Sequence, residues 1–332
     1  MSVLYALFAV AALMLVAALG VGVAGWHWLF GMAVPYAAVA TFVAGFVYRV
    51  VQWARSPAPF RIPTTCGQQK SLPWIRSSRL DNPHDLLGVV GRMALEILAF
   101  RSLFRNTKAE LKEGPRLIYG SDKWLWAAGL AFHWSFLVIF IRHYRFFAEP
   151  TPSFVLMLQS LDGFFQIGLP IIYLSDMALV GALSFLFLRR VVSPQLRYLS
   201  LPADYFPLFL ILSVAGTGML MRYIPWFRVD AVAVKELAMG WISLHPASPQ
   251  AIGLLFYIHL FLVCALAAYF PFSKLMHMAG VFLSPTRNLA NNNRRRRHVN
   301  PWNCAVKTHT YEEWEDEYRQ KMKDAGLPLE KE

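Results

Sequence analysis

Four histidines stand where an imidazole is expensive. His133 and His143 lie ten residues apart in a run that is otherwise apolar, and His259 and His277 lie 18 apart in a second such run. Ionisable side chains inside membrane-length apolar segments are rare and mark functional sites. The other five of the 9 histidines, His27, His84, His245, His298 and His309, sit in or beside loops, where a solvated imidazole costs little. If the two runs are antiparallel helices, depth pairs His133 with His277 and His143 with His259. Two opposed imidazoles are what bis-histidine ligation of a haem iron requires, one on each axial side. The four residues are therefore candidate axial ligands of two b-type haems. One haem, packing histidines and a proton relay are the competing readings of the same residues.

Helical geometry agrees only in part. At about 100° per residue the 18-residue spacing returns to one face, while the ten-residue spacing leaves an offset of about 80°. The axial spans, about 27 Å and about 15 Å, differ by about two helical turns, so tilt or a local distortion must absorb the difference.

The elements that carry these residues follow from composition. Of 332 residues, 56% are hydrophobic and 16% charged, the balance of a membrane protein. Six apolar blocks are long enough to span a hydrocarbon core about 30 Å thick: residues 3–23, 28–51, 124–147, 164–188, 205–223 and 251–282. Pro35 and Pro170 fall inside two of them as expected kinks. The first block has no basic residue before its apolar run and reads as a transmembrane helix rather than a secretory signal. None of the blocks alternates apolar and polar positions as barrel strands do. The expected fold is an all-α integral membrane protein with six transmembrane helices. An N-terminal hairpin (1–53) and a linker (54–123) precede a four-helix bundle (124–283) and a tail (284–332). Residues 86–104 predict an amphipathic interfacial helix with Arg92, Glu96 and Arg101 as its charges, and the tail predicts a soluble helix from Thr310.

Charge sets the orientation. The linker carries eleven Lys and Arg residues between Arg55 and Arg116, the link after the fourth block has Arg189, Arg190 and Arg197, and the tail opens on Arg294 to Arg297. These regions and both termini are expected in the cytoplasm, so the net charge of +12 is mostly a topology signal. A basic cluster beside a membrane also suits anionic lipid. Cys66, Cys264 and Cys304 have neither disulfide-framework nor metal-ligand spacing.

Further candidates surround the histidines. Residues 213–218, SVAGTG, would let a flat macrocycle or another backbone approach closely. Arg142, Arg145 and Arg222 fall at the membrane edge, as partners for haem propionates or a quinone head group, or as ordinary interfacial cations. Asp176 falls near the middle of the fourth block, either as a proton carrier near a quinone or as a neutral group bonded to Tyr173 or Thr217.

The spacing H-x9-H followed by H-x17-H resembles the cytochrome b (gamma) subunits of respiratory nitrate reductases, over roughly residues 124–283. That resemblance implies two b haems with the crossed pairing given above. Residues 58–74, APFRIPTTCGQQKSLPW, together with the added hairpin, resemble the DsrM family of membrane cytochromes b of sulfur-metabolising microbes. That likeness implies menaquinone exchange near the non-cytoplasmic haem. It also implies an iron–sulfur DsrK-like partner in the cytoplasm and further Dsr subunits (DsrJ, DsrO and DsrP), the chain being the electron-transfer subunit of a quinone-linked oxidoreductase. The rivals are the cytochrome b subunit of a nitrate or heterodisulfide reductase, and a haem-free proton-relay transporter or scaffold. The crossed pairing predicts that His133→Ala and His143→Ala remove different haems, read in reduced-minus-oxidised spectra; loss of the same haem from both contradicts it.

Overall fold

A computed structural model describes residues 1–56, 78–114, 116–163, 171–245, 252–291 and 308–331. The motif at 58–74, the Arg294 to Arg297 run, Cys66, Cys304, His298 and Pro170 lie outside the described residues.

The chain is mostly helical. Helix α1 (Ser2–Gly22) is followed by a π-helical turn (Leu29–Ala33) that runs into α2 (Val34–Ala54). Pro35 sits just after the π turn, so its missing N–H falls at the junction of the two helical forms inside the continuous stretch Leu29–Ala54. Helices α3 (Leu86–Ala99) and α4 (Arg101–Phe104) follow, then an antiparallel hairpin of β1 (Thr107–Lys112) and β2 (Arg116–Ser121). The second half contains α5 (Lys123–His143), α6 (Ser153–Asp162), α7 (Leu174–Val192), α8 (Pro194–Leu199) and α9 (Pro202–Tyr223). It continues with α10 (Ala231–Ser243), α11 (Leu254–Tyr269), α12 (His277–Gly280), α13 (Pro285–Asn288) and α14 (Tyr311–Asp324).

Among the described residues, 5 helical stretches are long and apolar enough to cross a membrane: Ser2–Gly22, Leu29–Ala54, Lys123–Phe146, Pro202–Tyr223 and Leu254–Phe272. The fourth expected block begins later than predicted, as α7, with Asp176 in its first turn and Arg189 and Arg190 in its last. Those three charges set α7 apart from the other five. The sixth block is not one helix. Pro271 has no N–H to continue the ladder and disfavours helix in the residue before it. Helix α11 therefore gives way to a 3-10 turn at Phe270–Phe272, and Ser273 is fully extended at φ -120, ψ 176. The small β-hairpin was not expected either; Gly114 supplies its turn with φ 83.

Helix α5 packs on α7, α7 on α9 and α9 on α11, whereas α5 and α11 are not closely packed on each other. The four form an open arc with histidines on its two ends. Leu179 and Leu183 of α7 meet Ile211 of α9 beneath Phe132 and Ile139 of α5. The N-terminal hairpin closes on the far side: Ala17, Val21 and Phe30 join Met221, Leu237, Tyr257 and Leu260 in one core. Gly20 allows this approach, since a Cβ there would lie 2.5 Å from Phe30 Cε2. Trp241 Nε1 donates to Gly31 O at 2.8 Å and Tyr36 Oη to Trp241 O at 3.1 Å, tying α2 and the π turn to α10.

The linker helix α3 buries its charges and exposes its apolar face. Arg92 and Glu96 are buried, while Leu86 and Leu87 are 75% and 72% exposed, with Val90 and Leu98 beside them. An interfacial helix needs that arrangement when lipid covers its apolar side. The buried side is held by ion pairs of Asp81 with Arg101 and Arg105 and of Glu96 with Arg287, and Ser102 Oγ donates a hydrogen bond to Glu96. Asn291 adds two bonds, from Nδ2 to Asn82 Oδ1 and from its backbone N–H to Pro83 O, each 2.6 Å. The segment after the bundle is thus stapled to the linker. The tail helix begins as expected, with Thr310 and Glu313 forming a capping box.

Hydrogen bonding from Arg101 holds the Asp81 carboxyl below its ordinary value. A depressed carboxylate adds stability that is complete above its unfolded value of about 3.9 and is lost as pH falls through the lowered folded value. Limited proteolysis of membranes should therefore show the linker becoming cleavable only at strongly acidic pH, and Asp81→Asn should make it cleavable at neutral pH.

Candidate functional site

Helix α5 carries His133 in its middle and His143 at its last residue. His133 meets His277, the first residue of α12, with ring centroids 5.9 Å apart and planes at 84°. An imidazole nitrogen sits about 2 Å from a first-row metal and its ring centroid about 1 Å further back, so two axial rings on one iron have centroids about 6 Å apart. The observed separation matches that figure. Phe100 and Phe132 each set a ring edge-on to His133 at 4.9 Å. Phe100 ends α3 in the left-handed conformation at φ 50, and α5 holds that end in place. Trp126 Nε1 donates to Ala99 O at 2.7 Å and Trp134 Nε1 to Leu98 O at 3.1 Å. The linker helix is thereby docked on the helix that carries the first histidine pair.

All four imidazoles have one nitrogen committed. His133 Nδ1 donates to Gly129 O at 2.7 Å, His143 Nδ1 to Ile139 O at 2.7 Å and His277 Nδ1 to Lys274 O at 2.9 Å. A carbonyl only accepts, so in each the proton is on Nδ1 and the lone pair on Nε2. His259 is fixed through Thr217, whose hydroxyl gives its proton to Ser213 O at 2.7 Å and accepts from His259 Nδ1 at 2.9 Å. A metal-ligating histidine is usually oriented in this way, by donating from its other nitrogen. The loop residues His27 and His245 also make local Nδ1 bonds, so it is the pairing between helices that singles out the four.

His259 on α11 lies within electrostatic range of His143. Gly218, in the small-residue run of α9, makes room for its ring: a Cβ there would lie 3.3 Å from His259 Cε1. His133, His143 and His277 are exposed although the first two stand on a membrane-length helix. The break at Ser273 interrupts the 18-residue helical register assumed between His259 and His277, so the span of about 27 Å calculated for one continuous helix does not apply. Helix α5 is one helix through His143, so the offset of about 80° between His133 and His143 stays within α5.

The charged candidates separate into two kinds. Arg142 is buried and reaches Asp162 Oδ2 at 2.5 Å, Ser175 Oγ at 2.9 Å and Asp176 Oδ1 at 3.2 Å, with its guanidinium 3.5 Å over the Tyr173 ring. Asp176 takes a second bond, 2.7 Å from Tyr223 Oη, rather than from Tyr173 or Thr217. Asp162 takes bonds from Ser175 N and Oγ at 2.8 and 2.6 Å. This cluster ties α5, α6, α7 and α9 together beside His143. Arg145 reaches Gln159 Oε1 at 3.4 Å, and Arg222 lies 3.9 Å over Tyr173. The sequence alone did not single out Asp162, Phe100 or the role of Thr217. An aspartate closing a short apolar segment was the available signal for Asp162; nothing local marked the other two.

Comparison with known proteins places the chain. The family model described as nitrate reductase gamma subunit matches residues 97–295, which include all four histidines and the linker's contact with α5. An Archaeoglobus fulgidus protein named Hdr-like menaquinol oxidoreductase cytochrome b-like subunit is 47% identical over 284 residues, 83% of this chain and 84% of its own length. The protein of the same name from Archaeoglobus profundus is 43% identical over 278 residues, 81% of each chain.

Thr217→Val keeps the shape but removes the acceptor that orients His259, and such outer-shell losses weaken metal binding about 10–100-fold. If His143 and His259 hold a haem, the expected result is its selective loss in a haem assay. Arg142→Ala would leave Asp162 and Asp176 buried without their cation, at a cost of about 3–5 kcal/mol, visible as a lower unfolding temperature in detergent.

Proposed function

The chain belongs to the nitrate reductase gamma-subunit family, in the company of Hdr-like menaquinol oxidoreductase cytochrome b-like subunits, and from that premise we propose that it is a dihaem cytochrome b working between menaquinone and a cytoplasmic iron–sulfur subunit. The observation that carries the proposal is the His133 and His277 pair, 5.9 Å apart, each with Nδ1 committed to a carbonyl and Nε2 left for a metal. His143 and His259 form the second site, nearer the other face. In this reading α7 is the sixth crossing and both termini face the cytoplasm. The segments at 54–123 and 284–332 then lie beside the inner site.

When bound, the haems supply one-electron chemistry, which no side chain here provides. The chain's own residues hold, orient and insulate. Gly129, Ile139, Lys274 and Thr217 fix the imidazole tautomers. Phe100 and Phe132 cover His133 with aromatic surface, and a dry setting is one of the levers on a haem potential. The Arg142 cluster braces the helix ends around His143, where menaquinol would be oxidised. Stapling of the linker to the segment after the bundle presents one cytoplasmic surface to the electron-transfer partner.

The partner is proposed to be a heterodisulfide-reductase-like iron–sulfur protein, a reading supported by the Hdr-like names of the relatives. The likeness of residues 58–74 to the DsrM family favours, more narrowly, DsrK in a sulfur-metabolising Dsr complex with DsrJ, DsrO and DsrP. Purified chain should show b-type bands in a reduced-minus-oxidised spectrum, and a menaquinol analogue should reduce them. Absence of those bands overturns the proposal. Co-purification with a nitrate reductase catalytic subunit instead of an iron–sulfur heterodisulfide-reductase-like one overturns the choice of partner.

A further inference from the structure

We propose that Arg145 and Arg222 form a clamp for the propionate carboxylates of the haem held by His143 and His259. The inference rests on the dihaem reading and goes beyond it by assigning a binding role to two residues that ligate nothing themselves.

The three arginines near His143 are not equivalent. Arg142 is charge-compensated, with Asp162 and Asp176 at 2.5 and 3.2 Å. Arg145 and Arg222 have no carboxylate partner among the described residues: Arg145 bonds the neutral Gln159 amide and lies over Phe146, and Arg222 stacks on Tyr173. Arg222 Nε is shielded from solvent and has no hydrogen-bond partner. The two guanidiniums lie within electrostatic range of each other. Two like charges at a membrane helix end, one with a buried donor unused, require an anion beside them.

Position identifies the anion. Arg145 follows His143 by two residues, and Arg222 follows Thr217, the anchor of His259, by five, about 7.5 Å further along α9. Both cations therefore stand just beyond the site, at the ends of the two helices that fix its histidines. A neutral quinone head would not balance them. A haem carries carboxylates along one edge, and the fork of a guanidinium matches a carboxylate with two parallel hydrogen bonds. Cations there favour the form that has gained an electron, so they raise the potential of that haem and leave the other untouched.

The test is a redox titration of the b bands in membranes containing the full chain. The outer haem is identified as the one missing from His143→Ala. Arg222→Gln and Arg145→Gln should each make that haem harder to reduce by roughly tenfold in its reduced-to-oxidised ratio, about 59 mV for a one-electron couple. The inner haem should not move. If a glutamine variant loses the outer haem, Arg222→Lys and Arg145→Lys, which keep the charge, should retain it near the native potential. Unchanged potentials in haem-replete glutamine variants, a shift confined to the haem lost from His133→Ala, or loss of haem from the lysine variants as well would overturn the clamp. Wild-type protein without two b haems would instead overturn the dihaem reading beneath it.

Discussion

An imidazole carried into a bilayer must satisfy two nitrogens where no water is at hand, and this constraint orders the structure around His133, His143, His259 and His277. Protein atoms satisfy one nitrogen of each: three carbonyls a turn earlier in the chain, and the Thr217 hydroxyl. The other nitrogen of each has no protein hydrogen bond among the described residues. Leaving a polar atom unpaired in a bilayer is costly, and a metal bond is one of the few ways to meet that cost in a dry setting. The arc of helices, open between its two ends, follows from the same need, since a closed bundle would fill the space with side chains.

Charge is managed by a different device at each face. Beside His143, Arg142 is neutralised internally by Asp162 and Asp176, and a bonded cluster joins four elements that would otherwise meet only through apolar packing. Beside His133, the charges of α3 turn inward onto Asp81, Arg101 and Arg287 while its leucines turn outward. The membrane inverts the usual amphipathic rule, and Phe100 links the inverted helix to His133.

Much of this was legible in the sequence, and what was missed has identifiable causes. Chain order and antiparallel crossing put His133 and His277 toward the same end of their segments, and the two rings lie 5.9 Å apart. The span of about 27 Å holds only for residues 251–282 as one helix; Pro271 is the signal of a break, and the extended Ser273 follows it. Asp176 was placed inside the fourth block because apolar composition cannot say where a helix begins, and α7 begins at Leu174. Arg142 was grouped with Arg145 and Arg222 because spacing shows proximity to the membrane edge but not who neutralises whom. The partner that decides this, Asp162, is twenty residues away on a helix too short to register as a span. The helices α6 and α10 escape notice because their stability comes from the bundle they rest on rather than from their own periodicity.

Low-temperature electron paramagnetic resonance of the oxidised full-length chain tests the central claim most directly, because the ferric signal reports axial ligands and their mutual orientation. The account predicts two low-spin species per chain. One of them, lost from His277→Ala, should be strongly anisotropic, because the His133 and His277 planes stand at 84°. A high-spin signal from haem-replete protein, or a single low-spin species, would contradict it.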